Sequence, residues 1–519
     1  MNVGAAVCLV LLCGLSAVAA GVPLSAIESA GKRLYREGLS SSGEPIMARV
    51  GAADISVPAT ALPCAGCHGT DGLGRPEGGI RPADLSWRRL AGAHGQQRIN
   101  GRDYPAYNDA TLARAVQEGR DPANNRLDPS MPRFVLTLND QRNLTAYLKR
   151  LQDEQDPGLE PDRLRLGTLL PTRGPLAEEG ATVAAILTGS IARINQAGGI
   201  HGRQLQLIVA DPGPDRASAR QALAQLIDQP VFALVAPLAP ALDEDLSAQL
   251  EQAGVPLIGA LSLLGASQTS RQIFEPLPGL REQWVALADY AQQGLQLSQG
   301  PTLVAWYGDA HQQQAAAAFA DYLQGQGWLQ VRALAFDPRQ PQGFTGQAAS
   351  ARAVFYVGEG AGFGPLAGHL QEAGVQPYLF AASSQVAGDV LQLPSGFSRR
   401  VFLAYPFIPS DWTPSGRAAL TQLRQRQGLN GQHAVLQVAA YSSMLLLCEG
   451  LKQAGRDASR EKLISALEGL HDFVTGVTPP ISFGPGKRLG LNGAHIVTVE
   501  LPEQRFYPVA PYQSLQARP

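Results

Sequence analysis

Cys64, Cys67 and His68 stand together in the run Leu62-Pro63-Cys64-Ala65-Gly66-Cys67-His68-Gly69. Two thiols separated by two residues can add to the two vinyl groups of one haem, and the histidine that follows is then carried to one face of the iron. A zinc half-site would need further Cys or His ligands at short spacing. Over the next hundred residues the sequence offers only His94, and Cys448 lies far along the chain. A redox dithiol would sit at a strand-to-helix junction of thioredoxin type, which Pro63 and the glycine-rich stretch 69–79 do not suggest. One covalently attached haem c is therefore the expected cofactor.

A low-spin electron carrier needs a sixth ligand on the opposite face. Met131, in Asp128-Pro129-Ser130-Met131-Pro132-Arg133-Phe134, is the only methionine between the haem motif and residue 151. A methionine can equally fill a gap in a core. Two flanking prolines, however, favour a rigid extended loop, which suits a fixed thioether better than a plastic core side chain. Histidine with methionine closes both axial positions, so the chemistry expected is electron transfer rather than oxygen binding.

Two helices are expected to frame this site. The first, Ala26 to Glu37, carries Gly31 and Tyr35, with Ile27, Leu34 and Tyr35 at helical spacing. The second, about Asn139 to Leu151, carries Leu144, Tyr147 and Leu148, with Asn139-Asp140 available as its cap. On these residues and on Cys64, Cys67, His68 and Met131, the segment 21–151 resembles a class I monohaem cytochrome c domain. The resemblance implies that the two helices cross at a glycine. It also makes the carbonyl of Pro82 a candidate acceptor for the second imidazole proton of His68, although a simple loop proline reads equally well. Trp87, Arg98 and Tyr104 are further candidates for the haem environment. Trp87 and Tyr104 read equally as core, and the arginines around Arg98 as propionate partners, as a docking patch for an acidic redox partner, or as solvated surface.

With 519 residues, the chain is longer than one core usually fills, and 17% charged against 45% hydrophobic residues is ordinary globular composition. A formal charge of -2 gives no reason to expect nucleic acid. Residues 1–20 are apolar and end in Val18-Ala19-Ala20, the composition of an export signal. Because no Lys or Arg precedes that stretch, an uncleaved membrane anchor stays open. Cys8 and Cys13 leave with such a signal, and no disulfide framework is expected from the rest. No later segment is expected to cross a membrane, and the mature body is expected to be soluble and periplasmic.

Residues 152–163 are polar, contain two prolines and read as a linker. Beyond them apolar runs alternate with helical segments, first over 164–258 and again over 302–381, which argues for parallel sheets covered by helices on both faces. No phosphate loop, nucleophile elbow or metal-spaced His/Asp/Glu group is present, so the enzyme reading has no residue to carry it. Residues 164–510 resemble the periplasmic ligand-binding proteins of the branched-chain amino acid and amide transporter class. The carriers are Leu169-Leu170-Pro171-Thr172-Arg173-Gly174-Pro175-Leu176, Asn195 through Gly202, and Val255-Pro256-Leu257-Ile258.

The resemblance implies a cleft between two lobes, with ligand held on loops after the strands. Ala260 and Ser262 match two of the family's anchors. His311 stands where an aromatic residue usually closes over the ligand, though an exposed helix-start histidine reads as well. The family's hydroxyl after Val235 is missing, since Ala236-Pro237-Leu238 follows. The acidic residue that pairs with a ligand ammonium falls near Ala382-Ser383-Ser384, where no carboxylate exists, and Glu359 is the nearby acid that could compensate. The expected fold is thus multidomain: a small all-α cytochrome c domain followed by a two-lobed α/β periplasmic-binding-protein fold. The expected partners are a periplasmic dehydrogenase or cytochrome, a small-molecule ligand and an ABC permease.

Overall fold

The computed structural model describes residues 24–515, except 52–53, 75–81, 93–96, 100–101, 154–155, 243–244, 262–269, 359, 387, 389 and 457, and the side chains of 97–99. The expected signal, residues 1–20, lies outside the described residues. The chain divides into two compact units, 1–155 and 156–519.

In the first unit, helix α1 (Ala26–Glu37) starts at Ser25, whose hydroxyl accepts from the Glu28 N–H while the Glu28 carboxylate accepts from the Ser25 N–H. Helix α2 (Cys64–His68) is a single turn opened by Pro63. Helix α3 (Asp109–Glu118) ends on Gly119 in the left-handed region. The last helix, α4 (Leu138–Arg150), is capped by Thr137 rather than by Asn139-Asp140. Asp140 is its third residue, and its carboxylate accepts from the Thr137 N–H and hydroxyl. Helices α1 and α4 pack at Gly31, where a β-carbon would lie 2.6 Å from the Asn143 carbonyl carbon and 2.7 Å from Cβ of Tyr147. Tyr35 and Tyr147 are fully buried beside this crossing, ring centroids 5.6 Å apart.

The helical frame carries two small antiparallel ladders that the sequence reading did not include. Strand β1 (Met47–Val50) pairs with β2 (Ile55–Pro58) on one side and β3 (Arg133–Phe134) on the other. Gln97–Ile99 pairs with Arg102–Tyr104. These short ladders escape periodicity arguments because two to four residues carry too little pattern.

The second unit begins earlier than the expected linker allows. Leu159 is buried and pairs with Leu164, and Asp156 accepts from the backbone N–H of Arg460 at 2.6 Å. One sheet holds β4 (Arg163–Leu169), β5 (Gln204–Ala210), β6 (Ala233–Val235), β7 (Leu257–Ile258) and β8 (Ile273–Phe274), in the order β8-β7-β6-β4-β5, all parallel. The other holds β9 (Thr302–Tyr307), β10 (Val331–Ala335), β11 (Ala353–Gly358), β12 (Tyr378–Ala382), β13 (Val401–Tyr405), β14 (Gly493–Glu500) and β15 (Arg505–Ser514), in the order β10-β9-β11-β12-β13-β14-β15. Its first five strands are parallel, and β14 and β15 add antiparallel at one edge. Three crossings join the lobes. Two run side by side, Glu275 donating to Arg488 at 2.8 Å and accepting from Gly490 at 2.7 Å. At the third, Nε2 of His495 faces the Asp411 carboxylate at 2.9 Å.

One helix among the described residues, Ala434–Ala454, is long and apolar enough to cross a membrane, contrary to the expectation that no later segment would be. It is mostly buried: Val438, Met444, Leu447 and Leu451 join the core of the first lobe. Cys448 lies on it, and burial pushes its thiol up to about 12.

Arg460 ties that lobe together. Its Nε donates to the Phe232 carbonyl at 3.0 Å and its Nη2 to that of Val231 at 2.8 Å, while Nη1 meets those of Ala253 and Gly254, both at 3.3 Å. Arg460→Met keeps bulk but strips buried carbonyls of their donors. It is expected to lower stability by about 2–3 kcal/mol, measured as a lower urea midpoint for the second unit.

Candidate haem site and ligand cleft

Helix α2 puts Cys64, Cys67 and His68 on one turn. Among the described residues neither cysteine is joined in a disulfide, and burial pushes the Cys64 thiol up to about 12, so an unreacted Cys64 stays protonated. His68 is 9% exposed. Its Nδ1–H donates to a backbone carbonyl at 2.9 Å, which leaves Nε2 free to act as a ligand. That carbonyl belongs to Ala83, one residue past the expected Pro82. Pro82 packs instead against Gly74, whose positive φ of 85° brings the two backbones together. Sequence spacing cannot separate neighbouring carbonyls, because successive peptide oxygens in an extended chain point opposite ways. Burial lowers the basicity of His68 and favours its neutral imidazole, the form able to ligate a metal.

The chain after His68 is pinned to the helix crossing. The Tyr35 hydroxyl donates to the Gly69 carbonyl at 2.6 Å, Gly74 N–H to His68 at 2.8 Å and Leu85 N–H to Gly72 at 2.7 Å. Tyr35 is therefore part of the site's support, a role that its helical spacing did not signal.

Met131 sits on the loop between α3 and β3. The Asp128 carboxylate accepts from Ser130 N–H at 2.9 Å, and the Asp128 carbonyl from Met131 N–H at 3.1 Å. The methionine is partly buried and is not among the side chains packed on the described core of this unit. The same loop buries Asp121 completely. Its carboxylate accepts from Arg102 at 3.0 Å and from the N–H groups of Ala123 and Asn125 at 3.0 and 2.9 Å.

Among the other candidates, Trp87 packs against this core with the Lys149 ammonium 4.9 Å from its ring centre. Tyr104 is 6% exposed, edge-on to Tyr107 at 5.6 Å, and burial raises its phenol. The Arg98 side chain lies outside the described residues.

The donors suit a covalent haem: two unbridged thiols on one turn, a neutral histidine with one nitrogen committed, and a thioether outside the core. Bound there, the haem would supply one-electron redox chemistry. Cys64 and Cys67 would hold it, and His68 and Met131 are the side chains that would ligate its iron.

In the second unit the proposed ligand positions fall at carboxyl ends of parallel strands, where open α/β sheets bind ligands. Ala260 follows β7, His311 follows β9 and Ser383 follows β12. Strands β9 and β12 are separated by β11 alone, so their ends lie roughly 10 Å apart. His311 is exposed as the second residue of its helix, its N–H donating to Asp309 at 2.8 Å. Ser383 is fully buried, and among the described residues its hydroxyl has no hydrogen-bond partner. Ser262 and Glu359 lie outside the described residues. The loop after β6 is apolar and closed: Ala236 and Leu238 are buried, and their N–H groups donate to Ile258 at 3.0 Å and Leu169 at 2.8 Å. At the neighbouring rim the Thr172 hydroxyl donates to Asp211, which, with the Gly213 N–H, holds that carboxyl below its usual value.

Comparison with known proteins agrees with both halves. Residues 59–152 match the family described as cytochrome c. A search of curated proteins matched nothing. Among solved structures, a fatty acid ABC transporter substrate-binding protein from Thermomonospora curvata is 18% identical with a TM-score of 0.57, the match covering 70% of this chain and 95% of that one. A branched-chain amino acid ABC transporter protein from Thermus thermophilus with bound valine has 15% identity and a TM-score of 0.57, over 68% and 97%. A branched-chain amino acid transporter substrate-binding protein from Streptococcus pneumoniae in complex with isoleucine has 18% identity and a TM-score of 0.54, over 67% and 100%. At these identities the likeness is one of fold. Residues 163–502 match the periplasmic binding protein family across well over half of the chain, and the chain belongs to that family, with a cytochrome c domain ahead of its binding fold.

Proposed function

We propose that the protein is an exported c-type cytochrome that passes single electrons through one haem, held covalently on Cys64 and Cys67 and ligated by His68 and Met131. The fused periplasmic-binding fold serves to sense a small ligand or to target the haem to a partner. The observation that carries this reading is the turn Cys64–His68 with its imidazole locked by Ala83, because it presents one nitrogen and two thiols in the order that haem attachment requires. Electrons would come from a periplasmic dehydrogenase or another cytochrome. Reduction of the purified protein by such a donor is the expected result. Haem reduction by a small substrate without any partner would instead make it an oxidoreductase.

The binding fold is read as selecting a neutral or mainly apolar ligand. A ligand ammonium beside Ala382 and Ser383 would lack a carboxylate, which costs several kcal/mol when the charge is buried. The closed apolar loop at Ala236–Leu238, and the buried Ser383 hydroxyl with no partner among the described residues, support this selection. Calorimetry should accordingly show free branched-chain amino acids binding more weakly than about 1 mM, and an apolar or neutral compound binding at least about tenfold more tightly. Ser262→Ala and Glu359→Gln should each weaken that compound about tenfold, and unchanged binding in both removes the site assignment. Membership of the binding-protein family favours a second reading, delivery of solute to an ABC permease with the haem as an accessory. Ligand-driven closure of the lobes without any redox partner would support it.

A further inference from the structure

We infer that Arg133 is the positioning residue for the axial thioether, clamping the backbone of the Met131 loop at the end that carries the methionine, whose side chain is not among those packed on the described core. This inference rests on the reading of Met131 as sixth ligand. The loop leaves α3 at Gly119 and rejoins regular structure at β3. Within it the Arg133 fork gathers three carbonyls: Nη1 donates to Met131, and Nη2 donates to Leu127 at 3.2 Å and to Asp128 at 3.1 Å. A planar guanidinium can serve diverging acceptors from one position, which a single ammonium cannot do as well.

Two further observations place that guanidinium by design of the loop. Gly119 has φ of 66°, and a β-carbon there would overlap the Arg133 side chain, so the helix ends on glycine partly to leave room for the clamp. The guanidinium thereby sits against the C-terminus of α3, the negative end of the helix dipole. The backbone of Arg133 is itself fixed, paired with Arg49 in the ladder of β1 and β3, while Val135 N–H donates to Met47 at 2.9 Å. One residue thus links the hairpin 47–58 to the ligand loop.

A neutral thioether is a weak donor to oxidised iron, so an external ligand competes with it whenever the loop opens. Loosening the clamp should raise the apparent affinity for that competitor without removing methionine ligation.

The test titrates imidazole into the oxidised full-length holoprotein and follows loss of the red absorption band that marks a methionine-ligated ferric haem. Arg133→Gln should keep the band in buffer and bind imidazole about tenfold more tightly than the unsubstituted protein, a change of about 1.4 kcal/mol. Arg133→Lys should fall between. Thr137→Ala, which removes the cap of α4 without touching the three carbonyls that Arg133 holds, should lower thermal stability and leave imidazole affinity unchanged, separating the clamp from general destabilisation. Equal imidazole affinity in Arg133→Gln and the unsubstituted protein, or an equal gain in Thr137→Ala, overturns the inference. Met131→Ala calibrates the assay by binding imidazole uncontested. If it binds no more tightly than the unsubstituted protein, Met131 is not the sixth ligand, and the underlying reading fails whatever the Arg133 variants do.

Discussion

Replacing Met131 with alanine should leave the haem attached and folded in place, yet remove its methionine signature and lower its reduction potential by on the order of 0.2 V. Axial ligands tune haem potentials across roughly 0.8 V, with the thioether toward the upper part of the range. Loss of the sulfur lets water or another stronger donor reach the ferric iron and stabilises the oxidised state. Covalent attachment through Cys64 and Cys67 is independent of Met131, so pigment should stay with the chain on denaturing electrophoresis. Redox titration with spectra of both oxidation states checks this. An unchanged potential with the red band intact would place the sixth ligand elsewhere.

Gly31→Val is expected to cost the first unit about 4–5 kcal/mol. The substituted β-carbon would meet the backbone of Asn143 and Cβ of Tyr147, where α1 crosses α4, and backbone cannot rotate away as a side chain can. The loss should reach the redox site, because Tyr35, next to the crossing, holds the Gly69 carbonyl and Gly72 lies against Leu151. The expected result is an apparent unfolding midpoint for the first unit lowered by tens of degrees, with weaker haem incorporation during maturation. A wild-type midpoint would show that the helices do not need this close approach.

How much the sequence revealed depended on the length of the pattern. Helix α1 was read from Ile27, Leu34 and Tyr35 at helical spacing, and β9 from its apolar run; Leu34 and Tyr35 are buried, whereas Ile27, near the first turn, is exposed. The order Cys64, Cys67, His68 was legible because haem attachment would require it, whereas its folding into one helical turn was not read. The β1–β3 ladder was not, having only two residues in β3. Nor was the choice of Ala83 over Pro82, which depends on where the loop 69–85 places one carbonyl. Arg133 read as one basic residue among many, because its role lies in carbonyls that sequence does not display. The helix Ala434–Ala454 was passed over as a membrane-like segment, and its burial is decided by the helices and sheet that surround it. At the ligand cleft the frame was readable, but specificity was not, since binding proteins of one fold differ in a few loop side chains.

A single covalent haem on this chain is tested by the intact mass of the denatured protein. The expected mass is one haem above the polypeptide, lost when Cys64 and Cys67 are both replaced by serine. A denatured chain with the bare polypeptide mass, from cells that mature c-type cytochromes, would contradict it.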